Sequence, residues 1–268
     1  MYSKFIRDLL KRAGKIVSEN FGKVEFIFKE GGDRNQILTE TDLKISRFLV
    51  NKVKKTYPKH NIIDEEMGVI DNKSAYTWVI DPIDGTSNFA NGFPTFGIMI
   101  GLLKVESPLA GGISLPYFSE LLYAEKGMGA YCNDKRLVVG KKSNLSKALI
   151  AYGIDGHPEK PEQTRRETLL LGKIALHALS LRMINSCAYD LSALSQGKYG
   201  AVIHQTNQIW DCVAPQIIVE EAGGVYTNFF GAPMNYSNPL KRGKENFTFC
   251  AAAPGLHEQL QKIIHGIK

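Results

Sequence analysis

Two aspartates stand three residues apart in Asp81-Pro82-Ile83-Asp84, directly after the apolar run Tyr76-Thr77-Trp78-Val79-Ile80 and directly before Gly85-Thr86-Ser87. A carboxylate at the C-terminal end of a buried strand faces the crevice where open α/β sheets bind ligands, and two such acids can share or bridge divalent cations. Pro82 fixes the backbone between them and leaves the Ile83 carbonyl on a tight turn without a regular sheet partner, an oxygen that a hard ion accepts. Gly85 and Thr86 would open a short helix whose unpaired N–H groups favour a phosphate, with Ser87 completing that set. Asp before Pro and Asp before Gly are also ordinary turn residues, so this pair alone leaves both readings open.

Further acids stand elsewhere in the chain. Asp64-Glu65-Glu66 follows a short apolar run, and Asp211 sits in Ile209-Trp210-Asp211-Cys212, where an apolar helix is expected to begin. If Glu65 and Asp211 fold beside the first pair, the four carboxylates make a two-metal cluster of the kind that serves phosphoryl transfer, with ions about 3.5–4 Å apart. All these donors are oxygens, so Mg2+ is the expected ion. Taken singly, Asp211 is equally a helix cap and Asp64–Glu66 equally a solvated acidic loop.

The elements that must position these residues are readable from apolar spacing. Phe5, Ile6, Leu9, Leu10, Ala13, Ile16 and Val17 predict a helix over 3–20, and a second helix is expected from Thr39 or Thr41 to Tyr57, before Pro58. A short strand at 61–63 and the strand at 76–80 follow, then a series of short antiparallel strands from Phe96 to about Val139. From Leu149 the order becomes alternating: strand, a helix over 161–178, a strand at 181–184, a helix over 187–196, the strand ending at His204, a helix over 211–222, two strands, and a helix from Gly255. The expected fold is thus an α+β part (1–140) carrying most of the metal ligands and an α/β part (141–268) supplying Asp211, closely packed across a seam at 140–146.

Composition narrows the class. The chain has 268 residues, 44% of them hydrophobic, and a formal charge of +6. Its basic residues are dispersed and do not interleave with aromatics as in an RNA-binding sheet. The four cysteines form no C-x-x-C pair, which speaks against a zinc ribbon. With neither a signal-peptide layout nor a membrane-length apolar run, a cytoplasmic protein with reduced thiols and no membrane partner is expected.

Four stretches carry a family resemblance: LTETD (Leu38–Asp42), DEEMG (Asp64–Gly68), WVIDPIDGTSNFANGFP (Trp78–Pro94) and WDCVAPQIIVEEAGG (Trp210–Gly224). In order and separation they resemble the inositol monophosphatase family of Mg2+-dependent, lithium-sensitive phosphomonoesterases, over essentially the whole chain. The resemblance implies an αβαβα layered sandwich, a homodimer and two to three Mg2+ ions. Glu65, Asp81 and the Ile83 carbonyl would hold one ion, Asp81, Asp84 and Asp211 a second, and Glu65 would help hold a third. Gly85 and Thr86 would meet the phosphate, and Thr86 with Asp42 and Glu65 would orient the attacking water, without a covalent enzyme intermediate.

The chain departs from the family where the substrate is read. Asn185-Ser186-Cys187 stands for the usual Gly-Ser/Thr-Ala, His204 for a substrate-binding Glu, and Asn35 and Gln36 where an Asp is common. With Asp84, the first four make up the implied substrate-contact set. A histidine cannot reproduce an acceptor-only carboxylate, so His204 faces a different sugar, an amino alcohol phosphate or a nucleotide, or else is a satisfied strand-end residue. The expected substrate is a small phosphorylated polyol or sugar resembling inositol 1-phosphate. Histidinol phosphate, fructose 1,6-bisphosphate and 3′-phosphoadenosine phosphate are the alternatives, and association with RNA or the transcription machinery is a reading from another class.

Overall fold

The computed structural model describes residues 2–23, 25–29 and 37–266. Asn35 and Gln36 lie outside the described residues. The chain opens with α1 (Tyr2–Asn20), whose buried stripe includes Ile6, Leu9, Leu10, Ala13 and Val17, followed by the antiparallel pair β1 (Phe26–Phe28) and β2 (Ile37–Thr39). Helix α2 (Glu40–Thr56) begins on a capping box, with the Thr39 hydroxyl facing the Asp42 N–H and the Asp42 carboxylate accepting from Thr39 N. Next come β3 (Asn61–Asp64), β4 (Gly68–Ile70), β5 (Tyr76–Asp84), the short α3 (Thr86–Ala90), β6 (Gly97–Lys104), β7 (Ser107–Leu115), β8 (Glu120–Glu125), β9 (Ala130–Cys132) and β10 (Lys135–Arg136). The later part of the chain contains β11 (Leu149–Gly153), α4 (Pro161–Ala175), β12 (Ser180–Arg182), α5 (Cys187–Ser195), β13 (Ala201–His204), α6 (Val213–Glu221), β14 (Val225–Asn228), β15 (Phe249–Ala252) and α7 (Pro254–His265).

Among the described residues these strands form an eight-stranded sheet in the order β10-β9-β8-β7-β6-β5-β3-β4, a five-stranded sheet in the order β12-β11-β13-β15-β14, and the β1-β2 pair. Helices α1 and α2 cover one face of the large sheet through Ile6, Leu10, Ile45 and Leu49 against Trp78, Ile80, Ile98 and Ile100. Helices α5 and α6 fill the space between the two sheets, where Leu191, Val213 and Ile217 meet Val79, Met99 and Ile113 from one side and Val202 and Phe249 from the other. Helices α4 and α7 close the outer face of the small sheet through Leu170, Ile174, Leu256 and Leu260. The result is an αβαβα layering, as the resemblance implied.

Two adjacent glycines in β7 let helices approach both faces of the large sheet. A Cβ on Gly111 would lie 2.8 Å from Ala214 O in α6, and one on Gly112 would lie 2.5 Å from Ile6 Cγ2 in α1. Because neighbouring strand residues face opposite sides, each glycine serves one helix. The expected helix over 161–178 ends at Ala175; beyond it Leu176 is exposed, so the apolar residues after Ala175 do not continue a core-facing stripe. The strand expected at 181–184 is β12, one residue earlier and shorter. Among the described residues, no helix is long and apolar enough to cross a membrane.

Candidate active site

Strand β5 does not end at Ile80 but runs on through Pro82 to Asp84. Its register against β6 breaks there, with Asp81 opposite Met99 and Asp84 opposite Gly97, so one extra residue is accommodated where Pro82 has no N–H to give the ladder. The Ile83 carbonyl accepts from Thr86 Oγ1 at 2.8 Å. Gly85 makes the turn into α3 at φ +74°, and a Cβ there would lie 3.0 Å from Thr95 O and 3.2 Å from Ser186 Cβ. Asn88 fixes α3 against the later part of the chain, its Nδ2 donating to Thr95 O and Ile184 O at 2.9 Å each.

Asp84 is seated on the N-terminus of α5. Its carboxylate accepts from Ser186 Oγ, from Cys187 N at 3.1 Å and from Ala188 N at 2.9 Å, bonds that also complement the helix dipole. Asp211 reaches the same place by a route the sequence did not reveal. It ends a 3-10 turn over Ile209–Asp211, its Oδ2 accepts from Gln208 N at 2.6 Å, and α6 starts only at Val213. The expectation that Asp211 begins α6, and the alternative that it caps α6, are both corrected: its carboxylate caps the N-terminus of the 3-10 turn that it ends.

Glu65, Asp81, Ile83, Asp84, Asp211, Gly85, Thr86, Ser87, Asn185, Cys187 and His204 line one cleft of about 630 Å³. Asp42 and Ser186 lie behind its wall, each against a residue that lines it: Thr86 Oγ1 is 3.5 Å from Asp42 Oδ1, and Ser186 bonds Asp84. Four aspartates at this cleft, Asp42, Asp81, Asp84 and Asp211, resist ionisation. Burial, then the charges of Glu65, Asp84 and Asp211, holds the Asp81 carboxyl well above the usual range. Burial and Asp84 do the same to Asp211. Burial pushes Asp84 up to about 6 against its hydrogen bonds from α5, and Asp42 up to about 6 against those from Thr39. Asp81 Oδ1 is buried without a hydrogen-bond partner among the described residues. Crowded buried carboxylates with an orphaned oxygen call for a cation, and this all-oxygen set fits a hard divalent ion such as Mg2+.

His204 is oriented by its surroundings. At the end of β13 it pairs in register with Gly153, where a Cβ would lie 2.3 Å from its ring, and it stacks on Phe249 with centroids 5.3 Å apart. Its Nε2 lies 3.4 Å from Asp190 Oδ2 and its Nδ1 3.4 Å from Cys187 Sγ. Both ring nitrogens therefore have protein neighbours, although the side chain borders the cleft.

Sequence reasoning missed three residues. Lys29, after β1, places Nζ 2.7 Å from Glu65 Oε1 and 2.6 Å from Glu66 Oε1. Burial works against its charge, but the two carboxylates outweigh that and raise its pKa. Asp190 is a fully buried acid one turn after Cys187 on an otherwise uncharged helix, a pattern that flags a partnered charge. Asn207 accepts from Cys187 Sγ at 3.1 Å, and its Nδ2 is buried without a partner among the described residues.

Comparison with known proteins identifies the family and the fold. The family model described as "Inositol monophosphatase family" matches residues 2–266. A fructose-1,6-bisphosphatase/inositol-1-monophosphatase from Aquifex aeolicus is 34% identical over 235 residues, covering 86% of each chain. The Nus factor SuhB of Haemophilus influenzae is 30% identical, covering 82% of each chain. The solved structure of an IMPase from Thermotoga maritima superposes with a TM-score of 0.84 at 27% identity, covering 98% of this chain and 96% of that one. With a whole-length family match, relatives at this identity and the same layered architecture, the chain belongs to the inositol monophosphatase family and is a phosphoric monoester hydrolase.

Proposed function

We propose that this cleft hydrolyses the phosphomonoester of a small polyol or sugar in the presence of two to three Mg2+ ions, with Glu65, Asp81, Asp84, Asp211 and the Ile83 carbonyl as their ligands. The observation that carries the proposal is the convergence of four acids from three distant segments on one cleft, where Asp81 Oδ1 is buried without a partner among the described residues. Bound Mg2+ supplies neutralisation of the phosphate charge and an acidified water. The chain supplies the rest. The Gly85 and Thr86 N–H groups, with Ser87 beside them, face the phosphate from the start of α3. Thr86 Oγ1 orients the water, and Asp42, held up near 6 and 3.5 Å from that hydroxyl, takes its proton together with Glu65. Asn185, Ser186, Cys187 and His204 border the substrate's alcohol portion, Ser186 acting through Asp84.

The Aquifex aeolicus relative is named for both fructose-1,6-bisphosphatase and inositol-1-monophosphatase activity, and a cleft of about 630 Å³ has room for a sugar bearing one phosphate or two. The test is phosphate release with and without Mg2+ across inositol phosphates, sugar phosphates, histidinol phosphate and 3′-phosphoadenosine phosphate, with Asp84→Asn as control. A preferred Mg2+-dependent substrate supports the proposal, and phosphate release unaffected by Asp84→Asn refutes it. The chain is taken to act as a cytoplasmic homodimer, which sedimentation of the full chain checks. A second reading, association with RNA or the transcription machinery, draws on the relative named a Nus factor; salt-dependent RNA binding that persists in Asp84→Asn would support it.

A further inference from the structure

Cys187 is the first residue of α5, and its backbone N–H is pinned to Asp84 Oδ1 at 3.1 Å. Its Sγ and one carboxylate oxygen from each of Asp84 and Asp211 all lie within 4.8 Å of one another. In a tetrahedral shell with Zn–S of about 2.3 Å and Zn–O of about 2.0–2.2 Å, neighbouring ligands are about 3.5 Å apart. Closing the triad onto one ion therefore takes side-chain adjustment of about 1 Å.

The surroundings of the sulfur point the same way. Asn207 is 4% exposed, and its Oδ1 accepts from Cys187 Sγ while its Nδ2 has no partner among the described residues. A half-turn of that amide would bring the idle donor onto the sulfur, the hydrogen bond that an anionic sulfur accepts. His204 Nδ1 stands 3.4 Å from the same sulfur, and its ring is backed by Asp190 through Nε2. Asp81 lines the same cleft, and its buried Oδ1 has no partner among the described residues.

We infer that Cys187 makes the Asp84–Asp211 position a mixed oxygen–thiolate site for a thiophilic divalent cation, Zn2+ or Co2+, which competes there with Mg2+. Soft thiolate selects such ions, whereas Mg2+ takes oxygens and leaves the sulfur idle. As the metal–sulfur bond forms, the thiol proton leaves to solvent, with no change of oxidation state. The inference rests on the metal ligands assigned under the proposed function.

The test titrates the metal-free full chain with Co2+ and follows its absorption spectrum. The wild type is expected to develop a sulfur-to-cobalt charge-transfer band that is missing from Cys187→Ser and Cys187→Ala. Zn2+ affinity, from chelator competition, is expected to fall in both variants by at least the ~10–100-fold that even outer-sphere partners are worth, a loss that Mg2+ does not share. The serine variant, which changes one atom, guards against misfolding of the alanine variant. Co2+ bound without a charge-transfer band, or equal Zn2+ affinity in all three proteins, overturns the inference. Asp84→Asn distinguishes the two readings: if it abolishes Mg2+ binding while the cysteine series shows no thiolate, the carboxylate site stands and only the sulfur ligand falls. A wild type that binds no divalent cation sinks both.

Discussion

Replacing Asp84 by asparagine separates what its charge does from what its hydrogen bonds do. In the metal-free protein the folded pKa of about 6 lies above the ordinary 3.8, a gap of about 3 kcal/mol against the ionised form. Because the shift is upward, its favourable contribution is complete below about pH 4, falls as pH rises through about 4–6, and is gone above about pH 7. Asparagine removes the charge, but only its Oδ1 accepts. Of the donors Ser186 Oγ, Cys187 N and Ala188 N, one or two lose their partner, at about 1 kcal/mol each. The two effects oppose each other, and their balance changes sign with pH. Near pH 7.5 the variant should be more stable than the metal-free wild type by about 1–2 kcal/mol, and near pH 4 less stable by a similar amount. Urea denaturation with chelator present at both pH values measures this. Adding Mg2+ should stabilise the wild type far more than the variant, and phosphate release by the variant should fall by several orders of magnitude. A stability difference with the same sign and size at both pH values would refute the reasoning, since it would mean that Asp84 is not held against ionisation.

What the sequence revealed of this site follows from how local each signal is. Asp81, Asp84, Gly85 and Thr86 are contiguous, so their joint chemistry could be read directly. That Pro82 continues β5 could not, because it depends on a register break against β6, a partner fixed by tertiary structure. The α1 stripe and the Thr39 cap of α2 were legible because an amphipathic period and a capping residue are local properties. The 3-10 turn that aims Asp211 was hidden, since Cys212 and Val213 are buried and read as the first turn of an apolar helix starting at Asp211. Lys29 left no signal: it follows a three-residue strand, Phe26–Phe28, whose residues are all exposed, and its partners are 36 and 37 residues away. The His204–Asp190 contact joins a strand to a helix and depends on Gly153 leaving room for the ring, a condition that only the sheet register creates.

Three further perturbations probe the same frame. Thr86→Ala removes the hydroxyl that bonds Ile83 O and borders Asp42; turnover should fall ~10²–10⁴-fold while Mg2+ affinity by calorimetry changes little, and a loss of affinity that accounts for the whole defect would make Thr86 a metal-site residue. Gly111→Ala forces a methyl to within 2.8 Å of Ala214 O, so either α6 or the strand must shift; overpacking of this kind should cost about 1–3 kcal/mol in denaturation midpoint analysis. Lys29→Met tests whether a lysine acts as the cation of the metal-free cleft. Its ammonium lies against Glu65 and Glu66, whose side chains are 18% and 6% exposed, and removing one partner of such a pair leaves the other charges uncompensated, at about 2–4 kcal/mol. Glu66 already has a pKa of about 7, held up by burial and Glu65 and eased down by Lys29. Without the lysine that pKa rises further, so the extra instability carried by Glu66 should grow as pH rises above about 7 and be absent below about pH 6, where Glu66 is protonated with or without Lys29. Mg2+ should then raise the melting temperature of the variant by more than it raises that of the wild type, because in the variant it neutralises acids that no lysine has already met. Equal Mg2+ stabilisation of the two proteins would mean that Lys29 and the metal serve separate carboxylates.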